Sequence, residues 1–306
     1  MAKIAFVFSG QGAQHPGMGK DLYAQNACVR ALFDRAEALR PGTLNQMFDG
    51  DADTLRATEN TQPCLYLADY APALALSEAG VHPSGAAGFS LGELPALAFA
   101  GAMDPVDGFA LTVRRGILMG EATRERKSSM VAVIKLDNAT VEKLCSEFHA
   151  VYPVNYNSAG NLSVAGDEEE LVAFAERVKA AGGRALPLKV AGGFHSPFMD
   201  NAAEKFAAVL QETPFKTPEI PVYANFNAAP YGQPVAKTLS QQMNHPVRWE
   251  QTILRMAEDG FDTFIETGVG NVLAKLITRI LPEAKVYTAE TAEDCAKVAS
   301  EVRGHA

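Results

Sequence analysis

Cysteine is scarce in this 306-residue chain, which has four, and tryptophan scarcer, with one. Cys28, Cys64, Cys145 and Cys295 lie far apart and form no C-x-x-C pair. That spacing excludes the common zinc and dithiol patterns and gives no disulfide framework. Positive charge is also short: 27 Lys and Arg stand against 36 Asp and Glu, a net charge of −9. A nucleic-acid binder needs a basic surface to neutralise phosphates, so that class is disfavoured. No stretch approaches the ~20 consecutive apolar residues of a membrane span. The run Ile4–Phe8, with Lys3 the one charge before it, is too short for the core of a signal peptide. The expectation is a soluble cytoplasmic protein without internal repeats or low-complexity tracts. The remainder is ordinary for a folded chain: 47% hydrophobic and 21% charged residues, with 25 Gly and 17 Pro. The length suits two domains, or one α/β domain with an insertion.

Periodicity supplies the architecture. Lys3–Phe8 is a continuous apolar run closed by Ser9-Gly10-Gln11-Gly12, which predicts a strand buried on both faces. Helical spacing follows from about Gly19 to Arg40, stopped by Pro41-Gly42. A second apolar helix is predicted over Leu65–Ala79, with a kink or late start at Pro72. Ala86-Ala87-Gly88 predicts a short strand, and Asp104–Met119 a helix with Asp104 as N-cap and Pro105 at its first position. From Ser128 to Val190 the order becomes strand (130–136), helix (140–149), strand (151–155), strand (162–165), helix after Asp167, and strand (184–188). This βαββαβ order is the split-βαβ ferredoxin-like unit. Later segments alternate again: helix 198–210, strand 219–224, helix 247–259, strand 261–266, helix 270–280, strand 282–289 and a last helix from Thr291. The fold class is therefore α/β, a mostly parallel sheet with an inserted small subdomain. The expected boundaries are 1–125 and 191–306 for the core and 126–190 for the insertion.

The strongest chemical signal is Gly88-Phe89-Ser90-Leu91-Gly92, a G-x-S-x-G between a strand and a helix. A serine on such a strained turn stands clear of the sheet, and the N–H of Leu91 at the helix start can stabilise an oxyanion. A plain glycine-serine turn has the same letters; the strand–helix context favours the nucleophile. A serine nucleophile needs a base. Of the six histidines, His82, His149 and His305 read as surface residues, the last in a frayed tail. His195 lies in the tight Gly192-Gly193-Phe194-His195-Ser196-Pro197 loop, with His15 and His245 as rivals. No acid presents itself as a third member; Asp200 is nearest in sequence, on a helix expected to aim it elsewhere. The loop Gly10–Gly17 fails the dinucleotide pattern at His15 and the P-loop pattern at Gln14 and Asp21. It suits a second oxyanion donor instead. Arg115, in Arg114-Arg115-Gly116, reads by itself as a solvated helix charge.

Taken together, Phe8–Gln14, Thr61-Gln62-Pro63, Gly88–Glu93, Arg115-Gly116, Val154–Ser158, Gly193–Ser196, Pro246–Trp249 and Glu266–Gly270 follow the order seen in malonyl-CoA:acyl carrier protein transacylases. The resemblance covers nearly the whole chain and implies a hydrolase-like α/β core with a ferredoxin-like insertion. It implies Ser90 as the nucleophile carrying a malonyl ester, His195 as its base, and Arg115 as the partner of the free malonyl carboxylate. It further implies Gln11 and Leu91 as backbone oxyanion donors, the Gln242 carbonyl as the group orienting the histidine, and Asn155 and Asn157 beside the substrate channel. The family commonly has His before the serine; here it is Phe89. The implied reaction is ping-pong transfer from malonyl-CoA to the phosphopantetheine thiol of acyl carrier protein in fatty acid synthesis, by a monomer with no metal or bound cofactor. A transacylase serving polyketide synthesis or malonate decarboxylation, a serine esterase and a catalytically dead interaction module are the alternatives. Because carrier proteins of this family are acidic, the few basic residues must then be unevenly placed. Arg114, Arg124, Arg126, Lys127, Lys189, Lys275 and Arg279 are the candidates.

Overall fold

The computed structural model describes residues 3–303, so the tail reading of His305 lies outside the described residues. The first sheet contains five strands: β1 (Ile4–Phe8), β2 (Gly85–Gly88), and, late in the chain, β7 (Val222–Tyr223), β8 (Thr263–Thr267) and β9 (Lys285–Ala289). They lie in the order β7-β2-β1-β8-β9, and every adjacent pair is parallel. Strand β1 is central, so its apolar run is explained: Ala5, Phe6, Val7 and Phe8 are completely buried. Burying a side chain such as Phe6 contributes on the order of 2 kcal/mol. The order reverses between β1 and β8: the chain adds β2 and then β7 on one side of β1, and β8 and β9 on the other. In open parallel sheets that reversal opens a crevice beyond the carboxyl ends of the strands.

The second sheet is built from β3 (Ser129–Ile134), β4 (Val151–Ser158), β5 (Asn161–Gly166) and β6 (Arg184–Pro187). Its order is β4-β5-β3-β6 with every pair antiparallel, and helices Asn138–Cys145 and Glu168–Ala180 cross between strands. This is the predicted ferredoxin-like arrangement. Its own core holds Val133, Val141, Leu162, Val164, Phe174 and Val178. Strand β4 joins the larger unit directly: Val247 N–H donates to the Val154 carbonyl at 2.8 Å, and Tyr156 N–H to the Val247 carbonyl at 2.9 Å. These two bonds hold Asn155 against the main unit.

The expected helix over 19–40 is two helices, Lys20–Gln25 and Ala27–Leu39, because the Asn26 side chain accepts the Val29 N–H and starts a new turn. The helix expected over 65–79 runs from Thr58 to Glu78 and passes without a break through both Pro63 and Pro72. Its flank is buried against helix Pro105–Glu125, where Gly116 allows the Thr58 and Glu59 backbone to approach closely. Tertiary packing thus outweighs the lost N–H groups. Asp104 caps Pro105–Glu125 as predicted, its carboxylate accepting the Val106 N–H at 2.8 Å. The strand expected over 219–224 shrinks to Val222–Tyr223, since Pro218 and Pro221 have no N–H to give a ladder.

Candidate active site

Three strand ends meet at the crevice: β1 runs into Ser9-Gly10-Gln11, β2 into Phe89-Ser90, and β7 into Ala224-Asn225. At the end of β2 the chain turns sharply through Ser90, whose φ is +53°, into a single 3-10 turn and then helix Glu93–Phe99. A non-glycine residue in that region costs about 1–3 kcal/mol and persists only when its surroundings fix it. Both motif glycines are sterically required. A Cβ on Gly88 would overlap the Gly92 backbone, and one on Gly92 would overlap the carbonyl groups of Phe8 and Ser9.

Ser90 Oγ lies 2.6 Å from His195 Nε2. On the other side of the ring, His195 Nδ1 lies 2.9 Å from the Gln242 carbonyl oxygen. A carbonyl can only accept, so Nδ1 carries the proton and Nε2 is left free to accept from the serine hydroxyl. Burial, reinforced by the nearby Arg115 charge, holds the imidazole down at about 4, so the ring is neutral. His195 itself has φ +60°. The rivals are engaged elsewhere: His15 is exposed and pairs with Glu290 at 2.6 Å, and His245 meets Asn244 and the Phe226 ring. Asp200 accepts from Asn244 and does not approach the histidine. A main-chain carbonyl therefore fills the place an acid takes in a Ser-His-Asp triad.

Arg115 is not a solvated helix charge. It is only 1% exposed, in the middle of helix Pro105–Glu125. Its Nη1 donates to Gln62 Oε1 at 2.9 Å, and its Nη2 to Gln242 Oε1 at 2.8 Å and to Ser90 Oγ at 3.2 Å. Its Nε has no protein partner, and among the described residues no carboxylate lies at ion-pair distance. Burial pulls the guanidinium down to about 10, with Glu93 opposing the shift. Such a group, dry and paired only with neutral groups, favours an incoming anion. Glu93 is the nearest compensation, one side chain away: Gln242 Nε2 donates to it at 2.7 Å and to the Ser90 carbonyl at 2.6 Å. Burial pushes Glu93 up to about 7 despite donors from Tyr231, Gln242 and Asn225.

These groups open into a cavity of about 430 Å³, lined among others by Gln11, Gln62, Leu91, Met119, Asn155 and Phe194. The size suits a small acyl group with part of its carrier arm. Gln11 and Leu91 border it as expected, and among the described residues neither backbone N–H has a protein acceptor. Asn155 lines the cavity with a buried, unpartnered Oδ1. Asn157 does not: its Nδ2 donates to Asn161 and Ser163, and it borders a separate apolar cavity of about 160 Å³ behind the Gly10–Ala13 loop. The alternation of a strand explains the difference, because consecutive odd residues share a face only until the β-bulges of β4 shift the register. Phe89 packs edge-on against Trp249 with centroids 5.5 Å apart.

The structure brings together Ser90, His195, Arg115 and the Gln242 carbonyl, the first two singled out as candidates by their motifs and the last two by the resemblance. Sequence reasoning missed Gln62, the side chain of Gln242, and Asn225, whose side chain bonds Ser90 N–H and Gly88 C=O. No local signal marks an asparagine in an irregular loop 135 residues from the serine. Among the described residues no group of three or more His, Cys, Asp and Glu could hold a metal, and no helix is long and apolar enough to cross a membrane.

The chain is similar to known acyl transferases over nearly its whole length. The acyl transferase domain pattern matches residues 5–304. A malonyl CoA-acyl carrier protein transacylase of Bacillus subtilis is 36% identical over 288 residues, covering 92% of this chain and 91% of that protein. The crystal structure of a malonyl CoA-acyl carrier protein transacylase from Clostridium perfringens superposes with a TM-score of 0.95 at 32% identity, covering 99% of this chain and 98% of the other. A type II polyketide-synthase acyl-carrier protein in complex with its malonyl-transacylase gives 0.94 at 34% identity, over 98% and 100% of the two chains.

Proposed function

Since the chain belongs to the acyl transferase family, we propose that it moves a malonyl group from malonyl-CoA to the phosphopantetheine thiol of an acyl carrier protein through an ester on Ser90. One observation carries this reading: a buried guanidinium with no carboxylate of its own stands 3.2 Å from a serine that is hydrogen-bonded to a neutral histidine. The serine supplies acyl transfer, and the guanidinium supplies the preference for an acyl group that ends in a carboxylate.

In the first half-reaction the Ser90 proton passes to His195 Nε2 while Oγ bonds to the thioester carbonyl carbon. Collapse of the tetrahedral intermediate breaks the C–S bond, and the imidazolium returns the proton to the departing CoA thiolate. In the second half the carrier thiol gives its proton to His195 and its sulfur attacks the ester. Ser90 leaves and recovers the proton. The unengaged N–H groups of Gln11 and Leu91 receive the oxyanion in both halves. Arg115 offers the malonyl carboxylate a planar fork that lysine cannot reproduce. An acetyl group would leave that buried charge unmatched, which disfavours it. One chain supplies all these groups, so the proposal extends to a cytoplasmic monomer that needs no bound cofactor.

Fatty acid synthesis is the assigned process. The likeness to a transacylase bound to a type II polyketide carrier keeps a polyketide carrier as the second reading. Parallel assays with both kinds of carrier decide between them. The central test is intact-protein mass spectrometry after exposure to malonyl-CoA and acetyl-CoA. The expected result is a malonyl adduct that Ser90→Ala abolishes, and an acetyl-to-malonyl ratio that rises at least about tenfold in Arg115→Ala. A wild-type protein that never acquires the adduct overturns the proposal, and water turnover faster than thiol transfer would make it an esterase.

A further inference from the structure

We propose that Asn225 is the positioning residue that fixes the reactive conformation of Ser90, an inference that rests on the acyl-transfer reading above. Its side-chain amide grips the main chain leading into the nucleophile: Oδ1 accepts the Ser90 N–H at 2.7 Å, and Nδ2 donates to the Gly88 carbonyl at 2.6 Å. The two bonds hold the peptides on either side of Phe89, which lead into the φ +53° turn at Ser90. An amide accepts and donates side by side at every pH, and the elbow presents one donor and one acceptor at that spacing. The bonds also occupy the Ser90 N–H, so an oxyanion is left to the N–H groups of Gln11 and Leu91.

Asn225 is itself held rigidly. It is 1% exposed, follows β7, and lies beside β2 in the sheet. Its N–H donates to Glu93 Oε1 at 3.1 Å, and its carbonyl accepts the Arg248 N–H at 3.0 Å. Glu93 in turn receives Tyr231 and Gln242, the residue whose carbonyl orients His195. The nucleophile's backbone and the base's ring are thus referred to the same carboxylate. The positive-φ conformation of Ser90 is maintained by these bonds.

The role makes a prediction that simple space-filling does not. In N225D, a protonated acid can still accept from Ser90 N–H and donate to the Gly88 carbonyl, whereas an ionised one sets oxygen against oxygen. Groups facing that position are Glu93 from helix Glu93–Phe99, with Tyr231 on it, Arg248 from the segment entering helix Trp249–Glu258, and His195 and Arg115 through Ser90 and Gln242. Burial and the Glu93 carboxylate both favour the protonated acid.

The test is single-turnover acylation of Ser90 by malonyl-CoA, read by intact mass, for wild type, N225D and Asn225→Ala. The ratio of N225D to wild-type rate is expected to fall as pH rises from roughly 5 to 8, with KM for malonyl-CoA nearly constant. Asn225→Ala is expected to lose about 10²-fold in acylation rate, the cost of a misplaced reacting group. A ratio flat with pH, or an Asn225→Ala acylation rate equal to wild type, overturns the inference. If the alanine variant does not fold, the pH ratio of N225D alone decides. Absence of any adduct in wild type would instead overturn the acyl-transfer reading, so the two failures are distinct.

Discussion

At the scale of single residues the decisive quantity is the charge state of His195, which bonds Ser90 beside the buried Arg115. His195 must be neutral to accept the Ser90 proton. Burial and the Arg115 charge hold it down at about 4, below its ordinary 6.5. Because the base is active when unprotonated, the acylation rate rises with pH through about 4 and is already complete near 6.5, where an unperturbed histidine would be half protonated. A pH profile of Ser90 acylation measures this, and a limb at the ordinary histidine value would show that Arg115 and burial do not act on the ring. Ser90 could be singled out from its motif, and His195 as a candidate beside His15 and His245, because glycines and proline around them announce tight turns. Arg115 could not be read from periodicity: an arginine on a helix is usually solvated, and only the closing of the crevice over that helix face makes it dry. Gln62 and Asn225 carried no signal, since an amide's role depends on what faces it.

At the scale of elements, the strand–turn–helix around Ser90 depends on backbone proximity at Gly88 and Gly92. Gly92→Ala is expected to destabilise the fold by about 2 kcal/mol or more, because the new Cβ meets the Phe8 and Ser9 carbonyls of the central strand and its exit, which cannot move aside cheaply. Thermal denaturation should show the loss together with slower acylation, and an unchanged melting temperature would refute the packing account. The elements that local chemistry specifies were legible: the apolar β1, the Asp104-Pro105 helix start and the βαββαβ order of residues 129–187. Those set by distant partners were not. Pro72 predicts a kinked or interrupted helix, yet burial against Pro105–Glu125 carries the helix through it. The short helices Thr43–Phe48, Ala52–Arg56 and Val235–Leu239 lack the length that makes a 3.6-residue period detectable.

At the scale of the whole molecule, a chain with a net charge of −9 must admit an anionic thioester and, on the proposed reading, an acidic carrier. Arg124, Arg126 and Lys127 follow one another, all exposed, where helix Pro105–Glu125 passes into β3, while Arg56 and Lys189 border the cavity. Lys127→Glu is expected to slow malonyl transfer to the carrier about threefold to tenfold at low salt while leaving acylation by malonyl-CoA unchanged, since a rim charge acts on encounter. Separate timing of the two half-reactions checks this, and equal slowing of both would refute a docking role for this stretch. The sequence by itself determined the fold class, the inserted unit and Ser90 as the candidate nucleophile, with His195 one of three candidate bases, because apolar period, turn residues and G-x-S-x-G are local constraints that neighbours in the chain must satisfy. Only the tertiary structure decided that Arg115 is buried without a carboxylate, that a Gln242 carbonyl replaces an acid, and that Asn225 grips the nucleophile from 135 residues away. Each of these depends on dryness and on which groups face one another across the crevice, and those are fixed only when the strand ends come together.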